Sequence, residues 1–332
     1  MATVNQQKQK FYSLTPDHVI QAVEDTGFLL TGEYLQLNSY ENRVFDLYME
    51  PEFVSEDQKA LKQRVIAKFY RPGRWTEKAI LEEHEFLEDL KKEGVPVIAP
   101  LLLKNNTTIS QHNDIYLSLF PKGWGRLPQE LDMEDLKSIG RVLAHIHNVG
   151  ERKRAKHRPQ LLVEQYGDPA LDILEHWVSP EVKYRYMQAA EKILDVLVDL
   201  LDPSDFIRIH GDCHKGNILE FEGELKKHFF LMDFDDFCMG PVAQDFWMLF
   251  SDEKEQEREL HAILEGYKDL RHFPEHQMQL FQPLRGLRMI HYSGWIARRY
   301  EDPLFPATFP QFQDYIYWAQ ETEALEKIAW SL

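Results

Sequence analysis

The sequence predicts an α+β protein in which a small strand-rich part precedes a larger helical part. Short runs of alternating apolar and polar residues dominate the first 120 residues. From Met133 onward, apolar residues recur mostly at the spacing of helices. Between these regions, FPKGWGRLP (120–128) is broken by glycine and proline and is the best linker candidate. We therefore predict two domains, residues 1–119 and 120–332, in a chain long enough to form a two-lobed protein.

In the first part, capping residues mark where helices begin. Thr15 can cap a helix that has Pro16 at its first position and ends near Gly27, and Thr76 can cap a helix over 75–92. The polar connection PEFVSEDQKA (51–60) reads as a surface insertion. Strand-like runs are predicted at 28–37, 43–49, 63–70 and 114–120, with a further apolar run at 97–103.

In the second part, helical periodicity alternates with one short β-like patch. The patch comprises the stretches FIRIHGD, NILEF and FFLMDF, and it lies between the second and third predicted helices of this part. Helices are predicted at 133–149, 181–201, 255–269 and 277–300.

Composition narrows the classes of function. The net charge of −17, from 38 basic and 55 acidic residues, argues against a nucleic-acid partner. Two cysteines are too few for a disulfide framework and favour a reducing compartment. No signal-peptide core and no run of 18 apolar residues is present, so we expect a cytoplasmic protein without a membrane partner. We also expect a monomer.

One lysine and one glutamate stand out in the first part. Lys68 is the only charge in the strand-like run VIAKFY, and Glu83 is the only charge on the inward stripe of the following helix. A buried carboxylate is costly without a cationic partner, so Glu83 is expected to pair with Lys68. Such a pair is typical of proteins that orient a lysine towards nucleotide phosphates. For Lys68 alone, the simpler interpretation is a charge on an edge strand.

The stretch HGDCHKGNIL (210–219) combines polar side chains with an adjoining apolar strand. Phosphoryl transfer needs a carboxylate to accept the proton of the attacking hydroxyl and oxygen ligands for Mg²⁺. Asp212 suits the base, and Asn217 and Asp233 suit the metal. Alternatives are a zinc site of His210, Cys213 and His214, a Cys213–His214 nucleophile pair, or a purely structural turn.

HGDCHKGNIL followed by LMDFDD resembles the catalytic and metal loops of the aminoglycoside phosphotransferase and choline kinase group, which shares the protein-kinase fold. The resemblance covers about residues 15–330. Stretches that resemble bacterial Ser/Thr protein kinases of this group are LNSYENRVF, AKFYRPGRW, LEEHEFLEDL, GPVAQDFWML and LRGLRMIHYSGWIARRYEDP.

The resemblance implies a nucleotide-binding first lobe and a second lobe that holds the catalytic loop and the acceptor. It assigns Asp212 as catalytic base and His210 as a brace for its loop, and it makes ATP the co-substrate with Mg²⁺ as cofactor. The residues implied for nucleotide and metal are Lys68, Glu83 and the turn residues Asn38, Ser39 and Asn42 for ATP, and Asn217 and Asp233 for Mg²⁺, with Asp235 as a further candidate.

The acceptor remains open at this point. A protein Ser or Thr is favoured, including Ser39 of this chain, over a small hydroxylated metabolite, and a nucleotide-binding pseudokinase is a third reading. Asp245 is expected to cap a helix and to tie down the 210–217 loop. Candidates for an acceptor groove lie on the last predicted helix, namely Arg288, His291, Tyr292, Arg298 and Arg299.

Overall fold

A computed structural model describes residues 4–50, 64–123, 125–222, 227–250 and 254–332. The chain divides into two compact units, one formed by Met1–Leu127 with Ile218–Asp235 and the other by Pro128–Asn217 with Asp236–Leu332. The boundary predicted between residues 119 and 120 falls inside a strand of the first unit, and Ile218–Asp235 belongs to that unit as well. No helix in the described part of the chain is both long and apolar enough to cross a membrane.

The first unit is built around an antiparallel sheet of five strands in the order β1-β2-β3-β5-β4. A separate hairpin, β7 with β8, adjoins this unit through a bridge between Val97 and Leu231. The helices are α1 Val4–Tyr12, α2 Pro16–Glu24 and α3 Glu77–Lys92, and the strands are β1 Leu30–Leu37, β2 Arg43–Met49, β3 Arg64–Phe69, β4 Ser110–His112, β5 Ile115–Pro121, β7 Ile218–Glu222 and β8 Lys227–Leu231.

The local signals for these elements are confirmed at several points. Thr15 accepts a hydrogen bond from the His18 amide with Pro16 in the first turn, and Thr76 caps α3 through the Ala79 amide. Strand β3 alternates as predicted, with Val65, Ala67 and Phe69 packed in the core. The apolar run 97–103 forms no strand because Pro96 and Pro100 remove ladder donors. The predicted insertion at 51–60 lies outside the described residues.

The second unit is mainly helical and contains a two-stranded sheet, in which β6 (Ile207–Ile209) pairs antiparallel with β9 (Cys238–Gly240). The predicted α+β class is therefore confirmed. The helices are α4 Met133–Gly150, α5 Val163–Tyr166, α6 Asp168–Leu174, α7 Lys183–Leu200, α8 Gln244–Trp247, α9 Gln256–Lys268, α10 Phe281–Arg299, α11 Leu304–Thr308 and α12 Tyr315–Ala329, and the strands are β6 Ile207–Ile209 and β9 Cys238–Gly240.

Helices α4 and α9 cross at unusually close range, and two glycines permit it. A β-carbon on Gly140 would lie 2.1 Å from the carbonyl oxygen of Ile263, and one on Gly266 would lie 1.9 Å from that of Lys137. Real contacts at these distances are impossible, so neither position accepts a side chain without separating the helices. The crossing matters because α4 carries His147 and α9 carries Tyr267, which are hydrogen-bonded to each other.

We predict that Gly266→Ala destabilises the protein by at least about 2 kcal/mol, because the added methyl group collides with main chain. Helix propensity alone would predict a gain of up to about 1 kcal/mol. Urea unfolding measures the difference. Glu257→Ala at an exposed position of α9 is the control, expected to change stability by no more than about 0.5 kcal/mol. Equal stability of Gly266→Ala and wild type would contradict the close crossing.

Candidate active site

In the first unit, the ammonium group of Lys68 is surrounded by carboxylates. Its Nζ lies 3.6 Å from Glu83 Oε1, 3.3 Å from Asp233 Oδ1 and 3.0 Å from Asp235 Oδ1. Lys68 is only 7% exposed. The expected Lys68–Glu83 ion pair is thus present, and two further acidic residues join it.

The local charges decide the protonation state of Lys68. Burial by itself would lower the pKa of Lys68, but Asp235, Glu83 and Asp233 outweigh burial and raise this pKa well above its ordinary value. The amine is therefore a fixed positive charge at neutral pH. It suits binding of an anion and is unsuited to act as a general base.

Two elements deliver Lys68 and Glu83 to the same place. Lys68 lies on the central strand β3, opposite Val44 of β2 and Ser118 of β5, so its main chain is held on both sides. Glu83 lies on the buried face of α3 among Ile80, Phe86 and Leu87. The face of α3 that packs on the core thus also carries the Glu83 carboxylate, and this packing fixes the position of the carboxylate.

The segment after β8 contributes two aspartates with different surroundings. The side chain of Asp233 is 56% exposed and accepts from Lys68 through Oδ1 alone. The Asp235 carboxylate is almost fully buried and forms an ion pair with Arg74. It also accepts a hydrogen bond from Asn42 Nδ2 at 3.2 Å. With Lys68, Asp235 has three donors around it, which suits a residue that positions the lysine. Asp233 keeps one oxygen, Oδ2, to which no described residue donates.

Asp233 also adopts a backbone conformation that few side chains tolerate. Its φ is +59°, in the left-handed region, where Asp and Asn are the least strained residues after glycine. The next residues, Phe234–Asp236, form a turn of 3₁₀ helix, and the Phe234 ring contacts Phe86 of α3 edge to face. Strain of this kind is concentrated at functional sites, where the surrounding packing maintains it.

The turn between β1 and β2 holds the three remaining residues predicted for the nucleotide. Asn42 is buried, and its amide N–H donates to Ser39 Oγ at 3.3 Å. Its side chain accepts from the Arg71 amide at 3.2 Å and donates to Asp235. Asn38 is exposed. The structure therefore joins Ser39 and Asn42 to the Lys68 cluster through hydrogen bonds, and leaves Asn38 at the surface.

In the second unit, the buried carboxylate of Asp245 restrains the 210–217 loop through hydrogen bonds. Asp245 Oδ2 accepts from the amide of His210 and Oδ1 from that of Gly211, each at 2.8 Å. Asp245 lies in the first turn of α8 and makes no cap there, so the predicted helix-capping role is wrong, whereas the predicted restraint of the loop is confirmed. Gly211 has φ +83°, and a β-carbon there would lie 2.4 Å from the Asp236 carbonyl oxygen.

A fully buried histidine orients Asp245. His147 Nε2 lies 3.1 Å from Asp245 Oδ2, and its Nδ1 lies 2.9 Å from the Tyr267 hydroxyl. Burial lowers the pKa of His147 despite the hydrogen bond to Asp245, so the ring is neutral. We assign the proton to Nε2, which donates to Asp245, while the Tyr267 hydroxyl donates to Nδ1.

Asp212 follows the anchored glycine and contacts two side chains, Arg288 and His214. Its Oδ1 lies 2.7 Å from a guanidinium nitrogen of Arg288, and its Oδ2 lies 3.5 Å from His214 Nε2. Burial would raise the pKa of Asp212, but Arg288, His214 and His210 outweigh burial and hold it well below its ordinary range. Within the loop, His210 Nδ1 accepts a hydrogen bond from the Asp212 amide at 3.3 Å, and its role as a brace stays a prediction.

The predicted metal ligands fit a hard cation when tested one by one. The side-chain N–H of Asn217 donates a hydrogen bond to the Asp212 carbonyl oxygen at 2.9 Å. The side-chain oxygen of Asn217 is therefore the atom that can bind a cation. Asp233 offers Oδ2. Carboxylate and amide oxygens are the ligands that Mg²⁺ takes. The two residues belong to different compact units, and each fits by its own donor atom.

The zinc and cysteine alternatives gain no support. Among the residues described, no group of three or more His, Cys, Asp or Glu is placed to hold a metal ion. Cys213 is fully buried, and burial raises the pKa of its thiol well above the ordinary value. A thiol in this state is a poor nucleophile.

The second unit also contains a small cavity beside the loop, partly open to solvent. Its wall includes Gly211, Arg288, His291, Tyr166, Leu284 and Leu287. Burial lowers the pKa of His291 to about 4 and leaves it neutral, with Nδ1 at 3.2 Å from the Tyr166 carbonyl oxygen. Of the five candidates for an acceptor groove, Arg288 and His291 therefore line a cavity.

Sequence reasoning missed Arg74 and His147. Both act through partners distant in the chain, Asp235 for Arg74 and Asp245 for His147, and neither lies at a recognisable spacing from its partner. The one available signal for His147 was its place in a helix otherwise apolar on that face. Nothing in the sequence distinguishes Arg74 from its neighbour Arg71.

Comparison with known proteins shows the family to which the chain belongs. Residues 52–281 match the family model described as "Phosphotransferase enzyme family". Stress response kinase A of Escherichia coli (strain K12) is 34% identical over 94% of this chain and 92% of its own length. The serine/threonine protein kinase RdoA of Salmonella typhimurium is 33% identical, with the same coverage of each chain.

Among solved structures, the amicoumacin kinase hAmiN, in complex with AMP-PNP, Ca²⁺ and Ami, is 17% identical and has a TM-score of 0.71. The match covers 92% of this chain and 93% of that chain. At this identity, the likeness concerns the fold alone. The predicted kinase-like α+β fold is confirmed.

We predict that Asp245→Asn destabilises the protein by about 2–3 kcal/mol, because the new NH₂ group faces an N–H of the loop and a charge-assisted hydrogen bond is lost. Urea unfolding gives the magnitude, and amide exchange at His210 and Gly211 should accelerate. Asp172→Asn, at an exposed position of α6, is the control and should change neither readout. Unchanged exchange at Gly211 in Asp245→Asn would contradict the anchoring role.

Proposed function

Because the chain belongs to the phosphotransferase enzyme family, we propose that it transfers the γ-phosphoryl group of ATP to a Ser or Thr hydroxyl of a protein acceptor. The observation that carries this proposal is the buried, permanently charged Lys68 held by Glu83 in one unit. Asp212, fixed by its loop in the other unit, supplies the second functional group. Phosphoryl transfer depends on positioned charge more than on covalent chemistry by the protein.

The role of Lys68 follows from its surroundings. Three carboxylates keep its amine charged and restrict its movement, so it can bind phosphate oxygens without first being ordered. Glu83 and Asp235 hold the lysine, and Ser39 and Asn42 belong to the turn that contacts the same cluster. We assign this turn, including Asn38, to the binding of the ATP phosphates.

Asp212 serves as the base that orients the acceptor hydroxyl and accepts its proton. Its low pKa keeps the carboxylate ionised at neutral pH, which suits hydrogen bonding to a hydroxyl. Arg288 occupies Oδ1, and the His214 contact to Oδ2 at 3.5 Å is long enough to yield to a substrate hydroxyl. Asn217 and Asp233 are the residues that would hold Mg²⁺, which neutralises charge on the phosphates when bound.

The protein acceptor is favoured by the name of one relative, the serine/threonine protein kinase RdoA, which is 33% identical to this chain. A second candidate is a small hydroxylated metabolite. The cavity beside Gly211 supports it, because apolar side chains line it together with Arg288 and His291, as is common in small-molecule sites. The amicoumacin kinase, whose fold this chain shares, also supports it.

We predict that Asp212→Asn lowers kcat by about 10²- to 10⁴-fold and leaves MgATP affinity within a few-fold, because the base contacts the acceptor. Asp233→Ala serves as the comparison variant. It should weaken MgATP binding and remove the dependence of nucleotide binding on Mg²⁺.

Calorimetry with and without Mg²⁺, together with single-turnover rates, distinguishes the two variants. Near-normal turnover of Asp212→Asn would exclude it as base, and unchanged Mg²⁺ dependence of Asp233→Ala would assign the metal to another residue such as Asp235.

The acceptor prediction concerns Ser39 and generic protein substrates. On incubation with MgATP, we expect phosphate on added protein substrate and on Ser39, whose new charge of about −1.5 to −2 would then repel incoming ATP. Intact-mass and peptide mass spectrometry detect both, with Ser39→Ala as control for the site. Rapid turnover of a small alcohol without phosphate on any protein would contradict the protein acceptor and favour the metabolite.

A further inference from the structure

We propose that helix α1 is a positioning element for the turn at residues 38–42, and that Arg71 is the residue through which it acts. The inference rests on the proposed function in one respect, namely that this turn binds the ATP phosphates. Its structural part, the restraint of the turn by α1, stands on contacts within the first unit alone.

Arg71 binds the main chain of the turn on one side and α1 on the other. Its Nε donates to the Glu41 carbonyl at 2.9 Å and its NH2 nitrogen to the Tyr40 carbonyl at 3.0 Å. Its NH1 nitrogen donates to the Tyr12 hydroxyl at 3.3 Å. Arg71 is 7% exposed, and a guanidinium has donors in a rigid planar fork. Arg71 therefore links the carboxyl end of α1 to two carbonyl groups of the turn.

The carboxyl end of α1 is fastened by a second arginine and by an aromatic ring. Arg43, the first residue of β2, donates to the Tyr12 carbonyl at 3.3 Å. The Phe11 ring is buried, with the guanidinium carbons of Arg43 and Arg71 at 5.4 Å and 5.3 Å from its centre. Cations are favourable both near an aromatic face and at the carboxyl end of a helix.

The contacts continue from the turn to the lysine. The Arg71 amide donates to Asn42, and Asn42 donates to Asp235, which pairs with Lys68. The turn sequence NSYEN contains no glycine, and Tyr40 is 47% exposed. Arg71 supplies restraint on the main chain of this turn from outside it. A turn held in one conformation binds its ligand with less loss of entropy than a mobile one.

The first arm of the test measures the turn without nucleotide. Hydrogen exchange of the peptide that spans residues 38–45 should be faster in Tyr12→Phe, which removes one hydroxyl and keeps the ring, and faster still in Arg71→Lys. Tyr34→Phe, at an exposed position of β1, is the matched control and should exchange as wild type does. Unchanged exchange in Tyr12→Phe overturns the restraint of the turn by α1, and unchanged exchange in Arg71→Lys overturns Arg71 as the link, whatever the function.

The second arm measures nucleotide binding and catalysis. We expect KM and Kd for MgATP to rise about threefold in Tyr12→Phe and about tenfold in Arg71→Lys, with kcat changed by less than twofold, because binding and not the chemical step depends on the turn. A fall in kcat without a change in KM overturns the positioning role. If wild type binds no MgATP, the proposed function fails, and the exchange arm still decides whether α1 holds the turn.

Discussion

The first unit is organised around one buried positive charge. The Lys68 ammonium lies within 3.6 Å of three carboxylates, which come from α3 and from the segment after β8. An unpaired charge in this interior would be costly, so strand, helix and hairpin must all be in place before the cluster is satisfied. The ion pairs therefore specify how these elements pack, in addition to providing a cation for an anionic ligand.

The three carboxylates differ in exposure, and their roles differ accordingly. Glu83 and Asp235 are buried and hold the lysine, whereas Asp233 is more than half exposed and keeps an oxygen available. The left-handed backbone of Asp233 is compatible with this role, because its position is set by the 3₁₀ turn that follows and by the Phe234 ring packed on α3. Asp233 is thus exposed and has a strained backbone, whereas Glu83 and Asp235 are buried and have an ordinary backbone. This difference favours Asp233 as the carboxylate that binds a ligand.

The second unit achieves rigidity by a different route. A chain of hydrogen bonds runs from Tyr267 through His147 to Asp245 and ends on the amides of the loop before Asp212. Tyr267, His147 and Asp245 are all fully buried, and two glycines let α4 and α9 approach closely enough to form the chain of hydrogen bonds. The position of the loop thus depends on the crossing of two helices that are distant from it in sequence.

Local chemistry determined much of this protein in advance. Helix caps at Thr15 and Thr76, the alternation of β3 and the inward stripe that carries Glu83 all follow from spacing along the chain, and so does the Lys68–Glu83 pair. The type and order of residues likewise predicted three functional candidates, Asp212, Asn217 and Asp233.

Tertiary structure decided the rest. The hairpin β7–β8 joins the first unit although it is distant in sequence, and Arg288, Arg74 and His147 find partners 76, 161 and 98 residues away. Such contacts depend on which buried faces pack together. The pattern of one segment records that a face is buried, but not which other segment covers it.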